Sequence, residues 1–262
     1  MAKKKKVTTT VTTTVTEEII SSNEKTHIIC ILDRSGSMSS IMSDSIGGFN
    51  TFLKKQKELP DEATITVALF DDKYELLYDN VDIKKAEELT EKVWFPRGMT
   101  ALYDAIGKTI NNEKVNFAKL GKEKPNKVLV CVVTDGHENA SQEYKIDDIK
   151  KLIKSCENDD WNFIYLAANQ DAFAVGSGFG ISFGNTYTYT ASAQGVMDMS
   201  ATLNNASVSY RSMSTTDKDY QKKRKKLIQE DDNKDEPQDS GNISVSGDAN
   251  NITFDTTNMS HT

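Results

Sequence analysis

The sequence predicts an α/β fold: a doubly wound, mostly parallel central sheet with one antiparallel edge strand and helices on both faces. Three observations predict it. Continuous apolar runs at residues 27–32 and 127–134 read as strands buried on both faces, as central strands of a parallel sheet are. Segments with apolar residues at helical spacing alternate with these runs. The 262 residues, 37% apolar and 27% charged, suffice for one sizeable core with appendages.

Taken in order, the strand at 27–32 is followed by residues 41–59, where Ile41, Ile46, Phe49, Phe52, Leu53 and Leu59 recur near helical spacing until Pro60 stops them. Residues 64–70 and 74–81 are strand-like and joined only by Asp71, Asp72 and Lys73. That link is too short for a crossover, so the pair should form an antiparallel hairpin at an edge. A helix is expected over 100–111 with Thr100 at its cap, then the buried strand at 127–134. Residues 146–158 place Ile146, Ile149, Leu152 and Ile153 on one helical face and lead into a third parallel strand at 161–168. A short strand at 187–190 and a helix over 191–213 complete the domain, which is expected to span 25–213. Residues 1–24, with Lys3 to Lys6 and a Thr/Val run, read as a flexible arm. Residues 214–262 read as a charged, then Asn/Gly/Ser-rich tail.

With 32 basic against 39 acidic residues, −7 overall, the chain lacks the charge of a general nucleic-acid binder. The basic run Lys222 to Lys226 is expected to be a solvated charge block. Three cysteines without a C-x-x-C pair offer neither a disulfide framework nor a structural zinc site, and a reducing compartment follows as the simpler expectation. No apolar run approaches the ~20 residues needed to cross a bilayer, and the lysine-rich start has no apolar h-region behind it. A cytoplasmic protein is expected.

The chemistry gathers where the predicted strands end. The first leads into Asp33-Arg-Ser35-Gly-Ser37, a D-x-S-x-S spacing, and the strand at 127–134 leads into Asp135-Gly136; Thr100 follows Arg97-Gly98-Met99. In open α/β sheets, ligands sit beyond the carboxyl ends of strands, where connections diverge to opposite faces and leave a crevice. Two carboxylates and three hydroxyls are hard oxygen donors of the kind Mg²⁺ or Ca²⁺ prefers, and a carboxylate from outside could complete the set. Gly36, Gly98 and Gly136 would let the backbone turn tightly around the ion. Both aspartates lie on loops at a sheet edge, so removing either is expected to spare the fold. Asp104, one turn past Thr100, reads equally as an orienting residue and as an exposed helix position. His137 and Glu138, following the Asp135 loop, could line the rim of the site, and a solvated loop pair is the favoured reading.

Over residues 25–213 the sequence resembles the von Willebrand factor A (vWA) domain, a Rossmann-like fold, with its metal-ion-dependent adhesion site (MIDAS). The resemblance rests on Asp33, Ser35, Ser37, Thr100 and Asp135, and all five positions match. Residues 134–141 and 161–171 look like the stand-alone A-domain proteins of bacteria and their phages. The resemblance implies a bound divalent cation, Mg²⁺ with Ca²⁺ or Mn²⁺ as alternatives. It also implies a protein ligand whose Asp or Glu takes the open metal position.

Common enzyme patterns do not fit. Gly107-Lys108-Thr109 imitates the end of a phosphate-binding loop, but Leu102 stands where its first glycine belongs. No Gly-x-Ser-x-Gly elbow occurs, and Cys30 and Cys131 sit inside apolar strands, where inert thiols are expected. The expectation is therefore a binding module, not an enzyme. Two alternatives stay open: an assembly protein that oligomerises through its Thr/Val-rich and Gly/Asn-rich tails, where residues 241–254 have a hairpin-like alternation, or an adaptor for an AAA+ ATPase. No membrane association is expected.

Overall fold

The structure, a computed structural model, describes residues 24–228. The expected arm (all but residue 24), the acidic part of the tail and the hairpin-like segment lie outside the described residues. Six strands form one sheet: β1 (Thr26–Asp33), β2 (Ala63–Phe70), β3 (Tyr74–Asp82), β4 (Lys127–Thr134), β5 (Trp161–Ala168) and β6 (Thr186–Tyr189), in the order β3-β2-β1-β4-β5-β6. Every neighbouring pair is parallel except β2 and β3, which form the expected antiparallel hairpin at the edge. From β1 the chain moves outward to β2 and β3, then returns to place β4 on the other side of β1. The point where connections diverge therefore lies between β1 and β4.

Alternation of side chains along the strands sends two apolar sets to two faces. Ile28, Cys30 and Leu32 pack with Phe49, Phe52 and Leu53 of α1 (Met42–Glu58) and with Val196, Met199 and Leu203 of α5 (Ala193–Ser212). Ile29 and Ile31 pack on the opposite face with α2 (Leu102–Leu120), α3 (Ile146–Asn158) and α4 (Ala172–Phe179). Among the described residues, no helix is long and apolar enough to cross a membrane. The three thiols are free and buried.

Helix α2 begins two residues later than the sequence suggests and runs nine residues further. Asn111 and Asn112 do not end it, because Phe117 reaches back under the sheet to meet His27 and Trp161 edge-on, at 5.2 and 5.4 Å. It stops at Gly121, whose φ of 58° suits a residue without a Cβ. Helix α4 was not foreseen. Its two glycines argue against a helix, but Gly176 brings the helix so close to β6 that an added Cβ would lie 2.8 Å from Thr186 Cγ2.

The expected boundary at 213 is corrected by the packing of the next fifteen residues. Tyr220, in the short helix α6 (Tyr220–Lys223), is 2% exposed and joins the core beside Tyr210. Arg224 donates to the carbonyls of Trp161 and Glu157 at 2.7 and 2.9 Å, satisfying groups at the end of α3 and the start of β5. The basic run is therefore not wholly solvated: its arginine is a buried clasp. Nearby, the buried Lys127 Nζ donates to the carbonyls of Arg211 and Met213 at 2.7 and 2.6 Å, placing a cation where the carbonyls at the end of α5 converge.

Candidate metal centre

β1 and β4 run side by side, with Leu32 opposite Val133, so Asp33 and the loop carrying Asp135 emerge next to each other at the carboxyl edge of the sheet. Asp33 is fully buried. Its Oδ1 accepts the backbone N–H of Ser35 at 2.6 Å and its Oδ2 accepts the Thr134 hydroxyl at 2.6 Å. Trp94 Nε1 donates to the Asp33 carbonyl at 2.9 Å, pinning the end of the strand from above. Ser35 and Ser37 share a hydrogen bond of 3.0 Å between their hydroxyls, and the Ser37 hydroxyl donates to Asp135 Oδ1 at 2.6 Å.

Thr100 arrives from a third loop that is stitched to the first. Gly36 N–H donates to the Gly98 carbonyl at 3.2 Å, and Arg97 N–H donates to the Arg34 carbonyl at 2.7 Å. Gly98 holds φ at 67°, and a Cβ there would lie 1.9 Å from Asp72 Oδ1, so both the turn and the space call for glycine. Thr100 is not the cap expected from the sequence. N–H groups opening α2 are met instead by the loop after β4: Glu138 Oε2 accepts from Tyr103 N and Ser141 Oγ from Asp104 N, each at 3.0 Å, while Asn139 Oδ1 holds the Thr100 N–H just ahead of the helix at 2.8 Å. This frees the Thr100 side chain from capping.

Gly136 shows where the hydroxyls point. A Cβ built on it would stand 3.0 Å from Thr100 Oγ1, 3.3 Å from Ser37 Oγ and 3.7 Å from Ser35 Oγ. Three hydroxyls from two loops thus surround one small space at the loop after β4, beside Asp135. All five residues singled out in the sequence are brought together. Among the described residues, no three His, Cys, Asp or Glu side chains are grouped to hold a metal, so any cation here depends on hydroxyl donors.

Electrostatics favours a cation in that space. Burial pushes the Asp33 carboxyl up to about 6, against the hydrogen bonds from Thr134 and Ser35, and Asp135 adds like charge. Burial also raises the Asp135 carboxyl, against the Ser37 hydroxyl. Two partly desolvated carboxylates side by side are unfavourable alone and are relieved by a divalent ion. The hard, small, oxygen-only donor set fits Mg²⁺, Ca²⁺ or Mn²⁺.

Three sequence expectations change here. Asp104 neither orients Thr100 nor faces solvent: its carboxylate, 7% exposed in the residue as a whole, accepts the N–H groups of Gln142, Glu143 and Tyr144 at 2.9–3.0 Å. Glu138 is no solvated rim residue, since its carboxylate holds Tyr103 N together with Ala140 N and Ser141 N. Asp33, expected to be dispensable for folding, lies in the core. His137 is exposed, as expected of a loop. A group not foreseen is Asp71, buried at the β2–β3 turn, which accepts Arg34 Nε at 3.2 Å and Arg97 Nε at 2.5 Å and so ties together two of the loops that converge on this site.

The cradle predicts its own test. Gly136→Ala should weaken divalent-cation binding by at least ~10-fold, because a methyl would occupy the space bounded by the hydroxyls. Its backbone is outside the positive-φ region, so thermal unfolding in EDTA should move little. Unchanged affinity in a Mn²⁺ titration would place the ion elsewhere.

No family model and no curated protein matches the chain. Solved structures do. A structure of proximal thread matrix protein 1 from the mussel byssus with a zinc-occupied MIDAS motif superposes with a TM-score of 0.50 at 15% identity, over 71% of this chain and 46% of that one. Manganese-loaded TRAP protein of Plasmodium vivax gives 0.51 at 16% identity, over 68% and 72%. A von Willebrand factor type A protein from Catenulispora acidiphila gives 0.51 at 13% identity, over 71% and 43%. The chain spans just under half the length of the mussel protein. At these identities the likeness establishes the fold, a mostly parallel six-stranded sheet of the vWA, Rossmann-like type.

Proposed function

We propose that this chain is a protein-binding module, not an enzyme, whose contact is made through a divalent cation held by Asp33, Ser35, Ser37, Thr100 and Asp135. Mg²⁺ is the favoured ion, with Ca²⁺ or Mn²⁺ as substitutes, and a Glu or Asp of the partner takes the position the chain leaves open. The observation that carries this reading is the convergence of three hydroxyls on the space beside Gly136, next to Asp135. Zinc in the mussel protein's motif and manganese in the Plasmodium protein support a divalent ion on this fold. The chemistry supports the open position: three of the five donors are neutral, so a dication keeps affinity for one more carboxylate. When bound, the cation supplies a fixed positive charge at the surface. The chain's residues hold it and orient Ser37 through Asp135.

The test is co-precipitation from an extract of cells that make the protein, using the full chain in Mg²⁺, in EDTA, and as Gly136→Ala in Mg²⁺. A partner retained in Mg²⁺ and lost in both other arms is the expected result. Partners that survive chelation and substitution alike would move the function to another face.

A further inference from the structure

Eight large apolar residues are exposed in the described part of the chain, and two of them, Phe95 (40%) and Met99 (56%), lie in the six-residue segment that ends at Thr100. This lip is not a loose loop. Trp94 anchors one end, buried and bonded to the Asp33 carbonyl, and Thr100, 3% exposed, anchors the other. Between them the backbone is bonded to Arg34 and Gly36 of the first metal loop. Arg97 is held by Asp71 and lies 5.3 Å from the Phe95 ring centroid, which fixes the ring against a cation while leaving the ring exposed. Apolar side chains held rigidly in water lose little further freedom on binding, so their burial is returned as affinity. The loop on the other side of Gly136 is polar at its surface, with His137 and Asn139 exposed.

We propose that the lip formed by Phe95 and Met99 selects the partner: a protein segment that presents one acidic residue with a large apolar side chain directly beside it. The proposal rests on the metal reading above and extends it, since the acid meets the cation and the apolar neighbour meets the lip. Charge agrees with this occupant. The half-exposed Arg97 guanidinium lies on the lip itself, between Phe95 and Met99 in the chain, and favours acidic and neutral segments over basic ones.

The test uses a displayed library of seven-residue peptides with a fixed central Glu and six random positions, panned on the full chain in Mg²⁺, with binders that survive EDTA subtracted. Among Mg²⁺-dependent binders, Phe, Leu, Ile, Met or Trp should be enriched roughly tenfold beside the Glu, the gain expected from burying one such side chain. The variant Phe95→Ser/Met99→Ser should keep its Mn²⁺ affinity and its thermal unfolding in EDTA, still select Glu peptides in Mg²⁺, and lose that preference. Enrichment without apolar neighbours, or a preference that survives the double substitution, would overturn the proposal. A chain that binds Mn²⁺ yet selects no Mg²⁺-dependent peptide would overturn the carboxylate-completed site and the lip with it.

Discussion

Asp71→Ala is expected to destabilise the protein by about 3–5 kcal/mol, the range seen when one member of a buried ion pair is removed. The carboxylate is fully buried, as is Arg34 beside it, so truncation leaves a guanidinium in the core with only the half-exposed Glu75 to face. It also removes the acceptor for the Lys73 N–H at 2.6 Å. Asp71→Asn, which keeps acceptor capacity without the charge, should cost less. Urea denaturation in EDTA measures this without interference from metal. A loss under about 1 kcal/mol, the value of a surface pair, would mean that the network is solvated in solution. Because Arg34 and Arg97 belong to two of the loops that form the proposed metal site, the same variant should also loosen the cradle.

Asp135→Ala should abolish divalent-cation binding, weakening it by at least ~100-fold, beyond what loss of a residue that only supports a ligand produces. Its effect on folding should be small. Asp135 is half-buried and burial disfavours its charged form, so its removal relieves a desolvated charge while releasing the Ser37 hydroxyl and its own backbone N–H. Asp33→Ala should differ: it too should lose the metal, but it strands the Ser35 N–H in the core, leaves the Thr134 hydroxyl only its longer bonds to Gly136, and should lower the unfolding temperature. Mn²⁺ titrations paired with thermal unfolding in EDTA separate the two. Equal destabilisation by both variants would contradict the geometry of the site.

The contrast between these aspartates shows what was legible in the sequence. A D-x-S-x-S run after an apolar strand, and an aspartate after a second such strand, are local patterns, and strand order places their ends together. Asp33, Ser35, Ser37 and Asp135 could be read that way, whereas Thr100 needed the resemblance to place it with them. Asp71, Glu138, Asn139 and Asp104 could not, because their roles rest on partners 26 to 40 residues away that only the folded chain brings near. Thr100 is instructive: a threonine before a helix satisfies the local rule for a cap, yet Glu138 and Ser141 take that task from across the chain. Glu138 did carry a signal, an acid three residues before Ser141, the spacing at which its carboxylate accepts Ser141 N. The clasp by Tyr220 and Arg224 was hidden by its charged neighbours, since a composition read over the whole run masks one buried arginine in it.

The most direct test of the central claim is a calorimetric titration of the full chain with Mg²⁺, repeated with Mn²⁺ and Ca²⁺ and with Gly136→Ala. The account predicts one saturable divalent site per chain, weakened at least ~10-fold by the added methyl. Absence of uptake of all three ions by the unaltered chain, or uptake that Gly136→Ala leaves untouched, would contradict it.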